Sequence, residues 1–189
     1  RLIRAEAKGQ FITHNFMGFF DLVDYFALAR SLDFVSHDQY PLGFWEAPKS
    51  PGALAGALDL MAGLKRKAFW VMEQQSGSTG WQIMASTPRP GQLSLWAAQS
   101  VAHGADTVVF FRWRTCIFGT EQYWHGILPH DGKPGRRHAE LKELIGKLGS
   151  LMPRFEGALS GAEVGILYSY EQNWAFEIQP HHPDLDYIA

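Results

Sequence analysis

The sequence has a single cysteine, Cys116, which excludes an internal disulfide and a cysteine-rich zinc site. No apolar stretch approaches the roughly 20 residues a membrane-spanning helix needs. Charge is sparse and balanced: 17 basic against 19 acidic residues leave a net charge of −2. With no basic run to neutralise a row of phosphates, nucleic acid is a poor partner. No glycine-rich phosphate loop follows any apolar run, which disfavours a dinucleotide site. Neither an initiator methionine nor a signal-peptide pattern opens the chain. Arg1-Leu2-Ile3-Arg4 reads instead as the end of a helix within a longer protein, and the expected location is the cytoplasm. What is abundant is aromatic: seven Trp, thirteen Phe and six Tyr. Most belong in a core, although aromatic faces also stack on pyranose rings.

Four apolar runs each lead into a helical pattern. They are Phe11–Phe16, Asp33–Ser36, Ala68–Met72 and Thr107–Phe111. The helical patterns bury Leu22, Val23, Phe26 and Ala29; Leu54, Ala57, Leu58, Met61 and Leu64; Leu93, Trp96, Ala97, Ser100 and Val101; and Leu141, Leu144, Ile145 and Leu148. Ser50-Pro51 supplies an N-cap and a first-turn proline for the second helix. Glu143 and Lys147 suit the exposed side of the last.

Continuous rather than alternating apolar strands mark a parallel sheet buried on both faces, and strand–helix repetition marks an α/β fold. The loops after the strands are long and begin in polar residues, the arrangement of a (β/α)8 barrel with its site at the C-terminal strand ends. A whole barrel needs about 250 residues, so four units make half of one. Pro153 and Gly157 then break the pattern, and Ala162–Tyr168 reads as a strand opening another domain. The expected division is a barrel half over 1–152, a linker over 153–161 and the start of a second domain over 162–189.

Glu73 closes the third apolar run. A carboxylate there needs polar partners. Two readings stand: an ion pair with an arginine such as Arg112, or a carboxylate of a sugar-cleaving site, where two carboxyls lie roughly 5–5.5 Å apart in retaining enzymes. Glu121 and His125, four apart, would share a face if helical and could bridge sugar hydroxyls; a metal pair lacks a third ligand. Tyr40 is placed to hydrogen-bond the Glu73 carboxylate, and Asp38 to orient backbone or substrate. Trp81 is either a lid contact or a packing anchor. Arg112 and Arg114 alternate on a strand and should point the same way, into the barrel or into structural salt bridges. Asn15 lies at the end of the first strand.

These residues resemble glycoside hydrolase family 42 β-galactosidases. The resemblance is carried by Phe69–Gln75, Pro88-Arg89-Pro90-Gly91, Ala102–Asp106, Phe111–Arg114, Thr13–Met17, Ser36–Pro41 and Gly119–Gly126, which together span nearly the whole chain in order. It implies the C-terminal half of a TIM barrel followed by the first strand of a flavodoxin-like trimerisation domain. It implies retaining hydrolysis of terminal β-D-galactosides, with Glu73 as nucleophile and Tyr40, Trp81, Glu121 and His125 on the galactose. Asn15, Asp38 and Arg112 would support them. The acid/base glutamate would lie upstream of Arg1, as would the zinc site of some members, so no metal or other cofactor is assigned here. The 189 residues alone should be close to inactive. The rival functions are a non-catalytic carbohydrate-binding relative and another retaining barrel glycosidase, such as a β-glucosidase.

Overall fold

A computed structural model describes residues 2–43, 49–80, 86–155, 158, 161–184 and 186–188. A short helix, α1 (Leu2–Glu6), precedes strand β1 (Asn15–Phe16). Then follow α2 (Tyr25–Ala29), β2 (Ser36–Gln39), α3 (Pro51–Lys65), β3 (Phe69–Gln75), α4 (Gln92–Ala102), β4 (Ala105–Phe111), α5 (Arg136–Leu151) and α6 (Tyr170–Ile178). The strands form one parallel sheet in the order β1-β2-β3-β4. Consecutive strands are therefore neighbours and the order never reverses, which is the winding of a barrel segment, not of an open doubly wound sheet.

The helices bury the faces their periodicity predicts. In α3 the Ser50 hydroxyl accepts from the Ala53 N–H at 3.1 Å, Pro51 fills the first turn, and Arg66 ends the helix in the left-handed region at φ 52°. Leu58 and Met61 from α3 pack with Phe69 and Val71 of β3, Phe16 of β1 and Tyr25 of α2. A second cluster joins Ala97 of α4 to Leu141 and Leu144 of α5, with Val108 and Phe110 of β4 against it. Burial of a side chain such as Leu58 or Phe69 contributes about 1.5–3 kcal/mol. Glu143 and Lys147 pair at 2.6 Å on the exposed side of α5.

Several expectations are corrected. β1 is shorter than the Phe11–Phe16 run: Phe11 leaves the ladder and packs its ring against Phe34 and Trp70 at 5.1 and 5.5 Å. α2 begins only at Tyr25, because Asp24 caps it by accepting from the Ala27 N–H at 3.0 Å, so Leu22 and Val23 stay exposed. Ile145 is also exposed. Residues 162–168 form no strand. Among the described residues no neighbouring strand pairs with them, and Val164, Ile166 and Leu167 stand in solvent. The segment after them returns to the barrel core: Tyr170 is buried beside Tyr25 and Phe26, and the Trp174 indole donates to the Asp21 carbonyl at 2.6 Å.

Candidate active site at the C-terminal ends of β2, β3 and β4

Glu73 sits where it does because β3 carries an extra residue. On the β2 side His37 faces Val71 but Asp38 faces Glu73. On the β4 side Val108 faces Val71 but Phe110 faces Gln74. The bulge is thus registered against both neighbours, at Met72–Glu73. Strict alternation would place Glu73 with Phe69 and Val71, against the helices. The extra residue re-aims it to the side of Asp38 and Tyr40. Gln74 then meets Gln39, whose amide donates to it at 3.3 Å, and both side chains are buried.

The Tyr40 hydroxyl donates to Glu73 Oε2 at 2.5 Å. Burial first, then the bond to Glu73 and its charge, hold the phenol well above its usual pKa, so it remains a donor at all working pH values. Tyr40 is fixed in turn by the Trp124 ring, edge-on at 4.9 Å, with Phe111 at 6.5 Å. Asp38 is pushed up to about 7, by burial foremost and then by Glu73, against a hydrogen bond from Asn15. Asn15 is itself held by the Ser36 hydroxyl at 3.4 Å.

Arg112 is not the partner of Glu73. Its guanidinium binds Glu121 at 2.8 Å and also contacts Cys116 Sγ. β4 ends at Phe111, so Arg112 and Arg114 do not alternate on a strand. The carbonyls of Arg112 and Trp113 accept instead from the N–H groups of Ile127 and Leu128, at 2.7 and 2.8 Å, which turns the backbone into the loop. Arg112 Nε donates to the Arg114 carbonyl at 3.3 Å, while the Arg114 side chain lies apart, beside Gly132.

Glu121 and His125 share no helical face either, since 120–124 is a series of turns. The His125 ring meets His130 at 5.2 Å, and burial, then the charges of His130 and Arg137, hold it below the usual imidazole value. The ring against Tyr40 is that of Trp124, one residue earlier. Sequence reasoning passed over Trp124. Its available signal was an aromatic pair, Tyr123-Trp124, inside a polar loop. The His125 backbone does bind the site together: its N–H donates to the Ser78 carbonyl at 2.8 Å, and its carbonyl accepts from the Ser76 hydroxyl at 3.2 Å. Close approach here depends on two glycines. A Cβ on Gly77 would lie 2.5 Å from the His125 carbonyl oxygen, and one on Gly126 would lie 2.5 Å from that of Arg112. Trp81 lies outside the described residues. Among the described residues, no three His, Cys, Asp or Glu side chains are grouped to hold a metal ion, and no helix is long and apolar enough to cross a membrane.

A parallel α/β barrel segment with a carboxylate and a phenol paired at its strand mouth is the frame of a barrel hydrolase. The model of glycoside hydrolase family 42, β-galactosidase, matches residues 1–151, and the chain belongs to that family. It is 39% identical to a β-galactosidase of Thermus sp, covering 100% of this chain and 31% of that protein. With a β-galactosidase of Haloferax lucentense the identity is 41%, over 98% of this chain and 29% of the relative. Among solved structures, the β-galactosidase of psychrophilic Marinomonas ef1 superposes with a TM-score of 0.84 at 30% identity, covering 98% of this chain and 32% of that one. The β-galactosidase from Bacillus circulans sp. alkalophilus gives 0.81 at 39% identity, over 89% of this chain and 25% of that one. The chain therefore spans about 30% of the length of the curated relatives it matches.

Proposed function

We propose that this chain carries the nucleophile-bearing part of a retaining β-galactosidase that hydrolyses terminal β-D-galactosides. The single observation that carries the proposal is the Tyr40–Glu73 pair, a carboxylate re-aimed by a bulge into the sugar side of the strand mouth and bonded at 2.5 Å. Glu73 attacks the anomeric carbon, and Tyr40 orients it. The second carboxyl that retention requires comes from the part of the relatives' length that this chain does not span. Glu121, held by Arg112, takes galactose hydroxyls. Trp124 and Trp81 supply aromatic faces, and His125 acts through the backbone that ties its loop to Ser76 and Ser78. These residues are assigned no metal or other cofactor.

Residues 1–152 are assigned to the barrel, 153–161 to a linker and 162–189 to the start of a trimerisation domain, which makes a homotrimer the expected assembly. A single cysteine with no disulfide fits a cytoplasmic location. The test is Glu73→Gln in the full polypeptide carrying these residues, assayed on aryl β-galactoside and aryl β-glucoside. Loss of turnover with galactose binding retained, and a galactoside preference in the parent, are expected. Normal turnover of Glu73→Gln sinks the nucleophile assignment, and a glucoside preference sinks the substrate.

A further inference from the structure

We infer that Asp38 is a positioning residue that works as a neutral acid, so that the strand mouth holds one negative charge, that of Glu73. The inference rests on the assignment of Glu73 as nucleophile. Asp38 is the direct ladder partner of Glu73, and the bulge brings the two carboxyls to the same side of the sheet. Two carboxylates so placed, away from bulk water, do not both ionise readily.

Among the described residues, the groups that act on Asp38 are an anion and an amide. On the β1 side the neighbour is Asn15, an uncharged donor; on the β3 side it is Glu73 itself. Along β2 the next inward residue is Tyr40, which feels both carboxyls and Glu121. From α2, the Tyr25 phenol is raised by the Asp38 charge after the larger effect of its own burial. His37 is buried among Phe16, Gly18 and the field of Lys49. Arg112 is turned to Glu121 and Cys116.

Asp38 Oδ1 is buried with no hydrogen-bond partner among the described residues. An ionised carboxylate with a bare buried oxygen is costly, whereas a carboxylic acid leaves much less charge unsolvated. The Tyr40 hydroxyl meanwhile goes to Glu73, the carboxyl that must stay an anion to attack. Ionisation of Asp38 would place a second negative charge across the ladder from the nucleophile. The carboxyl value of about 7 puts that limit near neutrality.

The test compares Asp38→Asn and Asp38→Ala in the full polypeptide, by pH–rate profiles on an aryl β-galactoside and by melting midpoints from pH 5 to pH 9. Asp38→Ala should lower kcat more than about tenfold near pH 6, and the isosteric Asp38→Asn should recover most of that loss. The basic limb of the parent, near pH 7, should move up by at least about one unit in Asp38→Asn. The melting midpoint of Asp38→Asn should exceed the parent's above pH 7 by more than it does at pH 5, because a raised carboxyl pKa withdraws stability as pH rises through it. The inference is overturned if Asp38→Asn is as impaired as Asp38→Ala, or if neither the limb nor the pH dependence of melting changes. If Glu73→Gln turns over normally, the nucleophile reading fails instead, and the melting series alone decides whether Asp38 is neutral.

Discussion

Tyr40→Phe removes one oxygen and leaves the ring. The phenyl still packs against Trp124, 4.9 Å away, and near Phe111, so the loss is confined to the hydrogen bond to Glu73. A hydrogen bond to a charged acceptor is worth about 1.5–3 kcal/mol, and each 1.36 kcal/mol is tenfold in rate. A donor that fixes the attacking oxygen should therefore cost about 10- to 150-fold in kcat when removed, with a smaller change in KM. Unfolding stability should change by less than about 1 kcal/mol, since the aromatic contacts stay. Steady-state kinetics on p-nitrophenyl β-D-galactoside, beside a urea unfolding curve, separate the two effects. A Tyr40→Phe variant within about threefold of the parent would refute the positioning of Glu73 by Tyr40, and so would a rate loss matched by global destabilisation.

Three other perturbations probe the frame. Gly126→Ala drives a Cβ to 2.5 Å from the Arg112 carbonyl oxygen and 2.9 Å from the Arg114 carbonyl carbon. Both are backbone atoms that must shift, so urea unfolding should register a loss of about 1–3 kcal/mol. Arg112→Met frees a Glu121 that is nearly half exposed. Solvent screening holds the expected cost to about 1 kcal/mol, read as roughly a fivefold weaker affinity for galactose by calorimetry. His37 is held down to about 4 by burial, so it folds neutral and must gain a proton in the unfolded chain below about 6.5. It gives stability above that value and withdraws it as pH falls toward 4, by about 1.4 kcal/mol per unit. Asp38 slopes the other way over much of this range. The check is therefore the difference between His37→Gln and the parent in urea midpoints at pH 7, 5 and 4, which should shrink the acid-side loss.

The strand–helix order and the buried faces of α3 and α4 could be read from the sequence because period and capping are local signals. Leu54, Leu58 and Met61 recur at helical spacing, and Ser50-Pro51 announces the turn they start from. The site was legible only in its chemistry. That Glu73 needed a polar partner follows from a carboxylate after five apolar residues, and Tyr40 was the natural donor. The bulge was hidden because Trp70, Val71 and Met72 are all apolar, so no polar residue marks where alternation fails. The Trp124–Tyr40 contact joins separate loops, and the Arg112–Glu121 pair closes across an irregular one, so periodic spacing holds no information about either. The four-residue spacing of Glu121 and His125 suggested a helix, but Gly119 at φ 89° begins a run of turns. The aliphatic stretch at 162–168 looked like a strand because composition cannot say whether a ladder partner exists.

Removing Met72 would close the shift that β3 shows against both β2 and β4 near Glu73, leaving only the one at Phe69–Trp70 on the β4 side. The sheet would become more regular, and the Glu73 carboxylate would swing into the layer of Phe69, Val71, Leu58 and Met61, where an unpaired charge has no place. Selection for stability alone would favour a shorter strand with an apolar residue at its end. The irregular one is what puts a carboxylate on the sugar side. Substitutions at Met72 that keep the chain length should therefore be far better tolerated than any single-residue insertion or deletion between Val71 and Gln74. In that stretch the number of residues carries the function as much as their identity does.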